Sequence, residues 1–133
     1  MKQKEKQIRY AADELISKGN LDVIGAVFTS GYIAHAEDKT HKGHGFIRRY
    51  ARQLRSAIPD LNVKHLEFFA EDEDMITWQR TLLGTHQGNM MGIPPSNQVV
   101  LWNEMVVSRF EGDKIAEEWV VSELAAQLMF KLH

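Results

Sequence analysis

Apolar positions near the start of the chain recur at helical spacing. Ile8, Ala11, Ala12, Leu15 and Ile16 fall on one side of a 3.6-residue repeat, and Gly19-Asn20 stops the run. The Asn20 side chain can cap a second short helix whose buried side is Leu21, Ile24, Val27 and Phe28. Periodicity then fades: the segment GYIAHAEDKTHKGHG reads as irregular and polar. Helical spacing returns from Phe46 with Ile47, Tyr50, Leu54 and Ile58, and Pro59-Asp60 ends it.

The second half changes period. NVKHLEFFA, MITWQRTLLGTH, QVVLWNEMVVSRF and KIAEEWVVSE alternate apolar with polar residues and are rich in β-branched and aromatic types, so they predict four strands. EDED and EGD are turns, and LAAQLMFKLH adds a final helical turn. Helices followed by consecutive strands predict an α+β fold, with N-terminal helices packed on one face of a strongly curved antiparallel sheet. Between the second and third strands, Gly88 to Asn97 is longer than a hairpin needs. That loop predicts a cover, and Met90 and Met91 suit either a lid over an apolar ligand or a plug beneath the loop.

Alternation also sorts the last strands into faces. Ile115, Glu117, Trp119, Val121 and Glu123 share one, as do Asn103, Met105, Val107 and Arg109 on the preceding strand. The mixture of large apolar and few ionisable residues predicts a ligand cavity walled by Trp119, Val121, Met105 and Val107. Turn geometry leaves open whether Arg109 lies beside Glu117 or nearer Glu123. Val100, Trp102, Val106 and Val120 then fall on the outer face, where a homodimer would cover them.

Length and charge narrow the classes. The 133 residues predict one domain, residues 1–133. Sixteen basic against eighteen acidic residues give a net charge of -2, which speaks against nucleic-acid binding. No cysteine is present, so disulfides, thiolate metal sites and cysteine nucleophiles are excluded. The charged N-terminal segment and the lack of a long apolar run predict a soluble cytoplasmic protein without a membrane span.

Pro59-Asp60, Gly84-Thr85-His86, Gly88, Gly92-Ile93-Pro94-Pro95, Arg109-Phe110, Lys114-Ile115, Glu117 and Trp119 keep an order and spacing that resemble the SnoaL-like polyketide cyclases, or ester cyclases. YIAH and Gly43 agree more loosely. The resemblance implies the cone-shaped fold shared with nuclear transport factor 2 and ketosteroid isomerase, enclosing a deep cavity. It implies cofactor-free ring closure by intramolecular aldol condensation, with an acid/base aspartate four residues after the tryptophan. This chain has Glu123 there, which keeps the carboxylate but moves its oxygens by ~1.5 Å. The histidine that the cyclases set on the preceding strand falls at Arg109, which cannot shuttle protons but can steady an oxyanion.

The expected activity is therefore a lyase or isomerase acting by acid/base chemistry on a small, largely apolar or aromatic carbonyl compound. Glu123 and Arg109 are the candidate catalytic pair. His35, His86, Met90, Met105, Val107, Glu117, Trp119 and Val121 are the candidate ligand contacts. His35, His41 and His44 match no metal-ligand spacing, so no metal and no cofactor are expected. The competing expectation is a non-catalytic module that holds a hydrophobic ligand in the same cone.

Overall fold

A computed structural model describes residues 2–132. Helix α1 (Lys2–Ala11) runs directly into a π-helical stretch, Ala12–Ser17, in which the Lys18 N–H donates to the Asp13 carbonyl at 3.1 Å. A 3-10 turn (Leu21–Val23) leads into helix α2 (Ile24–Val27), and Asn20 caps it as expected by accepting from the Asp22 N–H at 3.1 Å. Helix α3 (Gly43–Ala57) buries Ile47, Leu54 and Ala57, and Ile58 just beyond it is fully buried. Helix α4 (Leu124–Phe130) inserts Leu124 and Leu128. No helix among the described residues is long and apolar enough to cross a membrane.

Six strands form one sheet: β1 (Phe28–Ala36), β2 (Lys39–Lys42), β3 (Asn62–Asp72), β4 (Met75–Thr85), β5 (Val99–Glu111) and β6 (Lys114–Ser122). Their order is β2-β1-β6-β5-β4-β3. The four expected strands pair as antiparallel neighbours, and the helices pack on one face, so the architecture is α+β. The segment read as irregular instead forms β1 and β2. Strand β1 runs parallel to β6, which makes the sheet mixed rather than purely antiparallel. Two features hid this pair. Strand β2 is a four-residue edge, and its sequence KTHK is the charged type that blunts an edge. The β1–β2 turn is made by Glu37 and Asp38, both at positive φ (54° and 63°), without the Asn-Gly or Asp-Gly signature of such turns.

The long loop after β4 is pinned where it begins. The Asp60 carboxylate accepts from the Thr85 N–H and hydroxyl, each at 2.7 Å. The Ala57 carbonyl at the end of α3 accepts from the Gln87 and Gly88 N–H groups at 2.8 and 3.0 Å. Gly84 is required here, because a Cβ would lie 2.2 Å from Ile58 Cγ2. The two methionines divide the roles that the sequence left open. Met90 is buried with Ile93 in the cluster around Trp102 and Leu128, as a plug, whereas Met91 is exposed and borders the interior cavity.

Candidate active site

The helices and the sheet enclose a cavity of about 440 Å³. Its wall is largely apolar, with Ile8, Leu15, Phe28 and Ile47 from the helical side and Trp78, Leu82 and Val120 from the sheet. Alternation along β4, β5 and β6 also points four ionisable or hydroxyl groups inward: Arg80, Glu104, Glu118 and Ser122 all line it. Tyr32 on β1 and Tyr50 on α3 complete the polar wall.

Two networks hold these groups. Glu118 is buried, and its Oε1 accepts from the Tyr32 hydroxyl at 2.7 Å. Its Oε2 accepts from the Ser108 hydroxyl at 2.5 Å, and Ser108 accepts in turn from the Trp78 indole N–H at 2.9 Å. In the second network Arg80 Nε donates to Glu104 Oε1 at 2.6 Å. The Ser122 hydroxyl and the Trp102 indole donate to Glu104 Oε2 at 2.6 and 3.2 Å. Register explains the pairing, since Arg80 and Glu104 are direct cross-strand neighbours.

Electrostatics separates the groups. Burial pushes the Tyr32 hydroxyl well above its ordinary value, and the adjacent Glu118 charge adds to this, so Tyr32 stays protonated as a donor. Burial and then Glu104 do the same to Tyr50. Burial alone would raise Glu104, but the Arg80 charge and the donated hydrogen bonds outweigh it and hold Glu104 below the usual range. For Arg80, burial opposes the charge, and Glu104 and Glu118 more than offset it. The Arg80 guanidinium therefore stays charged at neutral pH.

The cavity wall expected from the sequence lies on the opposite face of the sheet. Trp119, Val121 and Met105 are exposed, and Val107 is half-buried beside them. Val100, Trp102 and Val106, expected outside, are almost fully buried inside, and Val120 lines the cavity. The strand face that packs against helices must be the more continuously apolar one. On β5 that is Val100, Trp102, Val106 and Phe110, continued on β4 by Ile76, Trp78 and Leu82. Because side chains alternate, choosing the other phase moves every residue of a strand across the sheet.

Arg109 and Glu123, which follows β6 as the N-cap of α4, do not meet. Arg109 pairs in register with Glu117, and its Nε donates to Glu117 Oε1 at 3.1 Å and its Nη1 to Glu111 Oε2 at 3.1 Å. Glu123 is exposed, and its Oε1 accepts from the Asn103 N–H at 2.9 Å. Asn103 and Arg109 are six residues apart on β5, roughly 20 Å of strand. His35 joins the Arg109 group: its Nε2 lies 2.6 Å from Glu117 Oε2, and its ring stacks on Trp119 with 5.2 Å between centroids. His35 and then Arg109 hold Glu117 below the usual carboxylate range. His35 and Trp119, with Met105, Val107 and Val121, border an open cleft of about 550 Å³ on the outer face.

His86 is fully buried at the end of β4, outside the cavity wall, and its backbone ties the long loop to Asn97 and Gln98. His41 lines the cavity and stacks on Phe46 at 4.2 Å between centroids, while the His44 ring donates to the carbonyls of Phe28 and Thr29 at 3.2 and 2.8 Å. Tyr32, Tyr50, Arg80, Glu104, Ser108 and Glu118 were not singled out from the sequence. One signal was present: a lone arginine, Arg80, within the apolar run Ile76-Trp78-Leu82 and a lone carboxylate, Glu104, within Trp102-Val106-Phe110. A polar residue on the more apolar face is the one that needs explaining.

Comparison with known proteins fits this architecture. No curated protein matches the chain. AclR from Streptomyces galilaeus, provisionally assigned as a hydroxylase, is 25% identical, with a TM-score of 0.75 over 97% of this chain and 96% of that one. A protein from Jannaschia sp. CCS1, provisionally assigned as a SnoaL-like polyketide cyclase, has a TM-score of 0.85 at 22% identity, covering 98% and 92% of the two chains. IdmH from Streptomyces antibioticus, provisionally assigned as a polyketide cyclase, has a TM-score of 0.79 at 16% identity, covering 98% of each. The family model for the SnoaL-like polyketide cyclases matches residues 6–129, nearly the whole cone from α1 to α4, and the chain belongs to that family.

Proposed function

We propose that the protein is a cofactor-independent lyase or isomerase that moves protons within a small, largely apolar carbonyl compound held in the interior cavity. The observation that carries this reading is Glu118, a buried carboxylate on an apolar cavity wall that is held by two hydroxyls rather than by a cation. Glu118 takes a proton from the carbon beside the carbonyl. Arg80, whose Nε alone is committed to Glu104, and the Tyr50 hydroxyl supply donors for the enolate oxygen that forms. The enolate then takes that proton back from Glu118 at another carbon, or attacks a second carbonyl in the same molecule to close a ring, after which Glu118 returns the proton to the alkoxide. Family membership supports this class of chemistry.

A second reading, a non-catalytic ligand-binding module, draws on the same network: both Glu118 oxygens already have protein partners. Proton exchange separates the two. With a panel of aryl and cyclic ketones in D2O, the enzyme reading expects protein-dependent deuterium uptake at the α-carbon, followed by NMR. Binding of the ketones with exchange no faster than in buffer would establish the module instead.

We also propose that two copies associate through the outer sheet face, where Leu101, Met105, Trp119 and Val121 form an exposed apolar stripe. Val121→Lys, at the most exposed of these positions (73%), is expected to halve the mass seen by light scattering at micromolar concentration. A wild-type monomer under those conditions would rule the dimer out.

A further inference from the structure

Met91 is one of four described non-glycine residues at positive φ (54°), and Gly92 after it is also left-handed (76°). Together they form a two-residue turn closed by reciprocal hydrogen bonds between Met90 and Ile93, at 3.1 and 2.9 Å. Both flanking side chains are buried, which fixes the turn against the core. A long apolar residue in this conformation is disfavoured, and asparagine or glycine would be the ordinary choice. The strain is not repaid by burial, since Met91 is 44% exposed. What the position does achieve is contact with the interior cavity, which Met91 borders. The backbone is rigid and the thioether flexible, a combination that presents an adaptable apolar surface at a fixed point.

Building on the cavity as the ligand site, we propose that Met91 is the length-selecting residue: its side chain lies against the far end of a bound apolar ligand and discriminates long from short chains. Met91→Gly tests this without threatening the fold, because glycine takes positive φ freely and the variant's melting temperature should be unchanged or higher. The measurement is calorimetric affinity for acetophenone, butyrophenone, hexanophenone and octanophenone. Octanophenone is expected to bind about fivefold more weakly to Met91→Gly, the worth of roughly one methylene's contact, while acetophenone changes by less than about 1.5-fold. Met129→Ala, an exposed methionine on α4 outside the cavity wall, should change neither. A uniform shift along the series, no shift, or tighter binding of the long ketones would overturn the role of Met91 and leave the cavity reading standing. Wild-type protein that binds no ketone of the series would overturn both.

Discussion

Glu118→Gln will lower α-proton exchange and turnover by roughly 10²- to 10⁴-fold, the usual worth of a positioned general base. Ketone affinity should stay within about threefold, because the apolar wall that supplies most of the contact is untouched. The substitution is close to isosteric. The amide oxygen can still accept from Tyr32, and the amide nitrogen can donate to Ser108 Oγ, which has a lone pair free after accepting from Trp78. The fold should therefore survive with a change on the order of 1 kcal/mol. Separate measurements of kcat and Kd check this directly. Full turnover in Glu118→Gln would end the assignment of the base, and a parallel collapse of binding and turnover would mean that Glu118 only shapes the cavity.

Arg80→Met will cost about 3 to 5 kcal/mol of stability, because it strands the Glu104 carboxylate in the core without its cation. The remaining donors, Ser122 and Trp102, do not neutralise the charge. The pH dependence gives the sign. In the native protein Glu104 is held below its ordinary value, so its contribution is fully present at neutral pH. That contribution is lost only as pH falls below about 4, through the folded-state value. In Arg80→Met only the Ser122 and Trp102 hydrogen bonds oppose burial, the largest influence, and Glu104 is expected to rise above its unfolded value. Lowering the pH from 7 to 5 should then stabilise the variant while leaving this contribution in the wild type unchanged. Adding Glu104→Gln should recover much of the loss at pH 7. Urea midpoints at the two pH values for the three proteins suffice. An Arg80→Met protein as stable as wild type at pH 7 would show that the pair lies in water rather than in the core.

Periodicity alone determined a good deal of this protein. The spacing of Ile8, Leu15, Ile47 and Leu54 made the helices, and alternation with β-branched residues made β3 to β6. Asn20 marked its cap, and the order of Gly84, Pro94, Arg109 and Trp119 pointed to the family. Alternation also fixed which residues travel together, so that Trp119 and Val121 share one face and Glu118 and Val120 the other. It could not fix which face turns inward. Both faces of β5 and β6 mix large apolar and ionisable residues, and a strand read alone has no inside. That choice belongs to the neighbours: β4 extends the apolar face, and α1 and α3 cover it. The site itself joins residues that no local pattern connects. Tyr32 reaches Glu118 across 86 positions because β1 enters the sheet parallel to β6, and Arg80 meets Glu104 only through the register of β4 on β5. Local sequence sets the period of each element, but long-range strand pairing and burial against the helices set its phase. The phase decided which carboxylate faces the cavity.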